Sequence, residues 1–235
     1  MIPFAIVGTG WRSHFFLRIA RACPDRFTVT AVVSRNPQKA QALNDQYGVQ
    51  LVPSLDDAIS TNPLFIVTSV PRAVNPGLLH TLADRDIPAL SETPPGTTVE
   101  DLTALSDRLK QGAKIQVAEQ YFLQPHHAAR LAFAHSGKLG RISQAQISAA
   151  HGYHGLSLVR KFLGISFENP TIIATTFTSP LVKGPNRTGP PEEEALADST
   201  QRIAWLDFGD RLGVFDFASD QYFSPIRNQR LLIRG

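Results

Sequence analysis

The chain has 235 residues, 43% hydrophobic and 18% charged, with a net charge of +3 and a pI near 9.2. That is enough apolar material for a buried core in one domain or two, and it excludes a disordered chain. No apolar run reaches the about 18 residues of a membrane span, and no Lys/Arg run marks a nucleic-acid or membrane surface.

The first 120 residues alternate in type. "FAIVG" (4–8) is a continuous apolar run, as suits a strand covered on both faces. Phe15, Phe16, Ile19 and Ala22 recur at near-helical spacing over 12–22. Cys23 follows on the apolar side of that helix. As the only cysteine it excludes an intrachain disulfide, and a buried thiol in a reducing, cytoplasmic setting is expected. "TVTAVVS" (28–34) is a second strand. Asn36-Pro37 then supplies an N-cap and a proline at N1 for a helix carrying Ala40, Leu43 and Tyr47, stopped by Gly48. "LFIVTS" (64–69) is a third strand, and Leu78, Leu79 and Leu82 mark the next helix. "IPALS" (87–91) is a fourth strand, with Pro88 fitting its first residues or an edge. Thr98 and Asp101 form a capping box for a helix with Leu102, Leu105 and Leu109, and "KIQVA" (114–118) closes the series. Strand and helix in repeated alternation predict a parallel sheet with helices on both faces.

The pattern changes after residue 120. Pro125 opens a helix with Ala128, Ala129, Leu131 and Ala132, and "ISQAQISAA" (142–150) alternates as a half-exposed strand. "LSLVRKFLG" (156–164) is a short helix ended by Gly164. "TIIATTFTS" (171–179), "TQRIAWLDF" (200–208), "LGVFDFAS" (212–219) and "QRLLIRG" (229–235) are strands, with Gly209-Asp210 as a hairpin turn. Residues 183–199, rich in Gly, Pro and Glu, read as a surface loop. The second half is therefore mainly antiparallel, with one face packed and one wet.

"IVGTGWRS" follows the first strand and opens a helix. Gly8 permits the tight turn, Gly10 lets a diphosphate approach, and Ser13 is small enough for helix–strand packing. Arg12 is placed to pair with phosphate. At the end of the second strand stand Ser34 and Arg35 rather than an acid. A hydroxyl and a guanidinium suit a 2′-phosphate, so NADP is expected in preference to NAD.

The chain resembles the Gfo/Idh/MocA family of oxidoreductases. The resemblance is carried by "IVGTGWRS", "VVSRNPQKAQALNDQYGV", "SETPPG", "VAEQYFLQPHHAARL", "SGKLGRISQAQI" and "HGLSLVRKFLG", in that order. It implies an α/β fold: an N-terminal Rossmann doubly wound parallel sheet (1–120), then a C-terminal α/β domain with an open, mainly antiparallel sheet (121–235). It also implies NAD(P)-linked hydride transfer on sugars, inositols and related compounds, and homodimers or homotetramers formed through the open sheet. The implied cofactor set is Gly8, Gly10, Trp11, Arg12, Ser34, Arg35, Ser69, Glu92, Thr93 and Gln120. Relatives usually continue past "RLLIRG", which implies a compact variant or a piece of a longer chain, and the segment after 150 looks short. The opening "MIPFAIVGTG" lacks a charged n-region, so no leader is expected.

Two family motifs carry chemistry. Glu92-Thr93-Pro94 matches Glu-Lys-Pro with threonine for lysine, and a cis bond at Thr93–Pro94 suits such a corner. His154 matches the acid–base histidine, but Ala150 stands where an aspartate is expected. His154, with Tyr153 and Thr93, is the expected catalytic set, and His151 or Tyr153 is the candidate to orient the imidazole. His151 and His154 with His126 and His127 have loose spacing and no cysteine, so no metal is expected. The loss of lysine and aspartate keeps an alternative open: an NADP-binding sensor or regulator without turnover.

Overall fold

The structure is a computed structural model and describes residues 1–235, the side chains of Pro37 and Lys39 excepted. It divides into two compact units, residues 1–118 and 119–235.

The first unit is a six-stranded parallel sheet. In chain order its strands are β1 (Ile2–Val7), β2 (Phe27–Val33), β3 (Leu51–Val52), β4 (Phe65–Thr68), β5 (Ala89–Ser91) and β6 (Ile115–Val117). They lie in the order β3-β2-β1-β4-β5-β6, which is the doubly wound Rossmann arrangement. The helices are α1 (Ser13–Ala22), α2 (Pro37–Tyr47), α3 (Leu55–Ile59), α4 (Asn75–Asp84) and α5 (Val99–Lys110). The period-2 alternation of β1 sorts them into layers. Phe4 and Ile6 pack with Leu17 of α1 and Leu43 of α2. Ala5 packs on the other side with Ala58 of α3, Leu79 and Leu82 of α4, and Leu105 of α5.

Several expectations need correction here. β3 and α3 were not anticipated: a strand of two residues and a helix of five carry too little periodicity to register. In α1 the buried positions are Ser13 and Leu17, while Ile19 and Ala22 are exposed, so one polar member of the inner stripe hid its phase. Leu102 and Leu109 are exposed and Leu105 alone anchors α5, whose capping box forms as read. Cys23 is half-buried just past α1 rather than enclosed. Pro88 precedes an interior strand, so its place is the strand's start and not an edge. α2 begins at Pro37, but the role of that ring lies outside the described residues.

The second unit is a five-stranded sheet packed against helices. Its elements are α6 (Pro125–Ala134), β7 (Gln144–Ser148), α7 (Gly152–Leu163), β8 (Thr171–Val182), β9 (Leu196–Asp207), β10 (Leu212–Ala218) and β11 (Arg230–Arg234). The strand order is β11-β7-β10-β9-β8, antiparallel except for the β7–β10 pair. Ala145 and Ile147 of β7 pack against Leu158, Val159 and Phe162 of α7. Leu232, Gln146, Val214, Trp205 and Ile173 are in register across the opposite face, and Leu232, Trp205 and Ile173 are exposed.

Three further readings shift. α7 starts at Gly152, four residues before the expected start, because the polar "HGYHG" hides a helical first turn. β9 begins at Leu196, so the loop expected over 183–199 is shorter. In α6, Ala128, Ala129 and Ala132 face outward, and the buried stripe is His127, Leu131 and Ala134. A histidine at an apolar phase misdirected the reading.

Candidate active site

In the first unit the sequence builds a corner at the carboxyl ends of β1, β4 and β5. Gly8 leaves β1 with φ +116°, and a Cβ there would collide with the carbonyl of Ser69 just past β4. Glycine is therefore required both by conformation and by close approach. Ser13 is buried, and its hydroxyl donates to Gly8 O at 2.8 Å, which ties the first turn of α1 back to the glycine turn. Around Gly10 the space is open to an approaching group. Such a turn entering a ten-residue helix fits a diphosphate.

The "SETPPG" stretch follows β5. Ser91 pairs in register with Thr68, and Glu92 N donates to Thr68 O at 3.1 Å. The Thr93–Pro94 bond is cis. Thr93 N reaches Glu92 Oε2 at 3.4 Å, and Arg12 Nε lies 3.2 Å from the same oxygen. Asn75, which the sequence reading missed, is buried at the start of α4. Its Nδ2 donates to Ser91 Oγ at 2.9 Å and to Pro95 O at 3.4 Å, clamping both ends of the corner. Nothing in an isolated asparagine signals this; only the fold brings it to the corner.

At the end of β2, Ser34 is buried, and its hydroxyl donates to Asn36 O at 2.9 Å and accepts from Asn36 N at 3.3 Å. Arg35 beside it is exposed. Of the expected cofactor residues, Gly8, Gly10, Trp11, Arg12, Ser34, Arg35, Ser69, Glu92 and Thr93 all lie at the carboxyl ends of β1, β2, β4 and β5. Gln120 belongs to the second unit, where it precedes the 3₁₀ turn Tyr121–Leu123.

The second unit holds His154 in the first turn of α7, 3% exposed. Gly155 makes the placement possible: a Cβ there would lie 2.6 Å from both Ala150 O and the Phe215 ring, so α7 can settle on β10 only with glycine. His154 Nδ1 donates to Glu119 Oε2 at 2.5 Å, and Tyr121 N donates to Glu119 Oε1 at 3.0 Å. The Tyr121 ring lies 4.5 Å from the His154 ring. A carboxylate can only accept, so Nδ1 carries the proton, and in the neutral ring Nε2 is the acceptor nitrogen.

A second imidazole adjoins. His151 Nδ1 bonds the Tyr222 hydroxyl, His151 N donates to the same oxygen at 3.0 Å, and His151 Nε2 lies 3.4 Å from Tyr153 OH. The His151 and Tyr153 rings lie 4.9 and 4.4 Å from that of His154. His151 and Tyr153 are thus neighbours of His154 in space, but the group hydrogen-bonded to its Nδ1 is Glu119. Glu119 and Tyr222 escaped the sequence reading because they are 35 and 71 residues from their histidines. His127 is fully buried in α6, and neither ring nitrogen has a partner among the described residues. Burial, with lesser effects from His126 and Arg130, lowers its pKa to about 4.

A doubly wound parallel sheet with a glycine turn leaving its central strand defines a dinucleotide-binding protein of the Rossmann class. The model of the oxidoreductase family with NAD-binding Rossmann fold matches residues 2–120, just over half of the chain. The chain belongs to this family, Gfo/Idh/MocA. No curated protein matches it significantly by sequence. Among solved structures it is similar to an oxidoreductase from Agrobacterium radiobacter in complex with NAD+, L-tartaric acid and magnesium, with TM-score 0.75, 17% identity, and coverage of 100% of this chain and 72% of that one. It is also similar to a myo-inositol dehydrogenase from Corynebacterium glutamicum, with TM-score 0.72, 20% identity and coverage of 100% and 73%. The WlbA dehydrogenase from Bordetella pertussis, in complex with NADH and UDP-GlcNAcA, gives TM-score 0.72, 18% identity and coverage of 100% and 75%. At these identities the likeness is one of fold.

Proposed function

We propose that the chain is an NAD(P)-linked oxidoreductase that interconverts a carbinol and a carbonyl on a sugar- or polyol-like substrate, with His154 as general acid–base. The observation that carries this reading is the Glu119–His154 hydrogen bond, which gives the imidazole a carboxylate partner although Ala150 occupies the aspartate position. A bound nicotinamide would supply or accept the hydride. As the carbinol is oxidised, His154 Nε2 takes the hydroxyl proton, and in reduction it returns it. Glu119 fixes the tautomer and gives the protonated ring a counter-charge.

Gly8 and Gly10 give a diphosphate room against the start of α1, and Glu92 and Thr93 line the nicotinamide end. Arg35, exposed beside the end of β2, supports a preference for NADP, since a guanidinium pairs with a 2′-phosphate. The substrate class rests on relatives of similar fold that are named as inositol dehydrogenases. The exposed apolar face of the second sheet, with Trp205, Ile173 and Phe177, supports self-association into a homodimer or homotetramer through that face.

The test is titration with NADP(H) and NAD(H), followed by turnover assays on polyols and sugars in both directions. Cofactor binding with turnover, abolished in His154→Ala, is expected. The neutral Thr93 favours a second reading, a cofactor-binding regulator; binding without turnover on any substrate would decide for it.

A further inference from the structure

We infer that Arg12 supplies the positive charge at the nicotinamide end of the cofactor site, the charge that Thr93 cannot provide. This rests on reading the first unit as a dinucleotide site. Hydride transfer places charge on the substrate oxygen and changes the charge of the nicotinamide ring, so a fixed cation beside them acts on the reaction directly. Residue 93 is neutral, yet the corner is not without a cation.

Three contacts fix the Arg12 guanidinium. Its Nε lies 3.2 Å from Glu92 Oε2, with the two side chains 27% and 13% exposed. Its Cζ lies 5.1 Å from the Trp11 ring centroid and 5.2 Å from that of Phe15. The two rings meet edge to face at 4.8 Å. A surface arginine with one ion pair stays mobile, whereas one held by a carboxylate and two aromatic rings is preorganised.

The strand order gives the direction in which this cation points. A dinucleotide laid across the carboxyl ends would have its adenosine held at the end of β2 and its diphosphate at the start of α1. Its nicotinamide would then be held by the residues that follow β4 and β5. Glu92 follows β5, so the Arg12–Glu92 pair draws the guanidinium away from the adenosine half and toward the nicotinamide half. Sequence position alone suggests a diphosphate ligand for Arg12; the ion pair assigns it to the ring.

The two roles differ in a measurable way that needs no turnover. A diphosphate clamp holds oxidised and reduced cofactor equally, because both carry the same diphosphate. A cation beside the ring disfavours the positively charged oxidised form relative to the reduced one. Dissociation constants for NADP+, NADPH, NAD+ and NADH are to be measured by titration in the unmodified protein, Arg12→Gln, Arg12→Lys, and the double variant Arg12→Gln/Thr93→Lys, with thermal melts to check folding. Arg12→Gln should lower the oxidised-to-reduced ratio of dissociation constants by about tenfold. Arg12→Lys should keep the ratio, and the lysine at 93 should restore it in the double variant. Equal weakening of both forms, or an unchanged ratio, overturns the inference while leaving the site reading intact. Failure of the unmodified protein to bind any of the four cofactors overturns both.

Discussion

His154 Nδ1 and Glu119 Oε2 lie 2.5 Å apart, joining the first turn of α7 to the residue that opens the second unit. Glu119→Gln keeps an acceptor in place but removes the charge. It should lower kcat by about 10²–10⁴-fold with little change in cofactor affinity. Steady-state kinetics beside a cofactor titration checks this, and an unchanged kcat would show that the carboxylate is structural.

Gly8→Ala tests the glycine turn. The added methyl meets the Ser69 carbonyl, and φ +116° is strained for any residue with a Cβ. A loss on the order of 1–3 kcal/mol in stability is expected, with loss of cofactor binding. A thermal melt and a titration that both matched the unmodified protein would mean that the turn relaxes freely.

Much of this geometry was legible in the sequence for a physical reason. The glycine turn, the capping box at Thr98 and the cis-proline corner are local, because each depends on residues within a few positions of one another. Five of the six parallel strands were legible as short apolar or β-branched runs, and the two-residue β3 was not. What stayed hidden is non-local or breaks the apolar code. Glu119 reaches His154 across 35 residues, Asn75 reaches Ser91 across 16, and His127 occupies a core position that pattern reading reserves for apolar side chains. Ala150, at the position where the resemblance expects an aspartate, was visible in the sequence, but the Glu119 carboxylate bonded to His154 was not.

Arg35 should set the choice between cofactors. Arg35→Ala should weaken NADP+ by about tenfold and leave NAD+ nearly unchanged, since only NADP+ carries the 2′-phosphate. Equal affinities for the two in the unmodified protein would remove Arg35 from that role. Ser34 should matter less, because its hydroxyl is already bonded on both sides to the Asn36 backbone.

Trp205 lies between Val214 and Ile173 on the outer face of the second sheet and is 44% exposed. If that face carries the self-association, Trp205→Glu should convert the oligomer to monomer in sedimentation velocity, because burying an unpaired charge is costly. An oligomer that persisted through this substitution would place the contact elsewhere.

His127 gives the fold a pH dependence of its own. The imidazole is buried without a hydrogen-bond partner among the described residues, and burial lowers its pKa from 6.5 to about 4. In the unfolded chain it takes a proton near pH 6.5, and in the folded protein only near 4, so between those values the unfolded state binds more protons. Stability from this residue is therefore complete above about 6.5 and is lost as the pH falls toward 4, where the loss amounts to on the order of 3 kcal/mol. Denaturant unfolding at pH 7.5 and pH 5 should show the drop, and His127→Phe, which keeps a flat ring of similar reach, should shrink it. A drop of the same size in both proteins would trace the acid sensitivity to other groups.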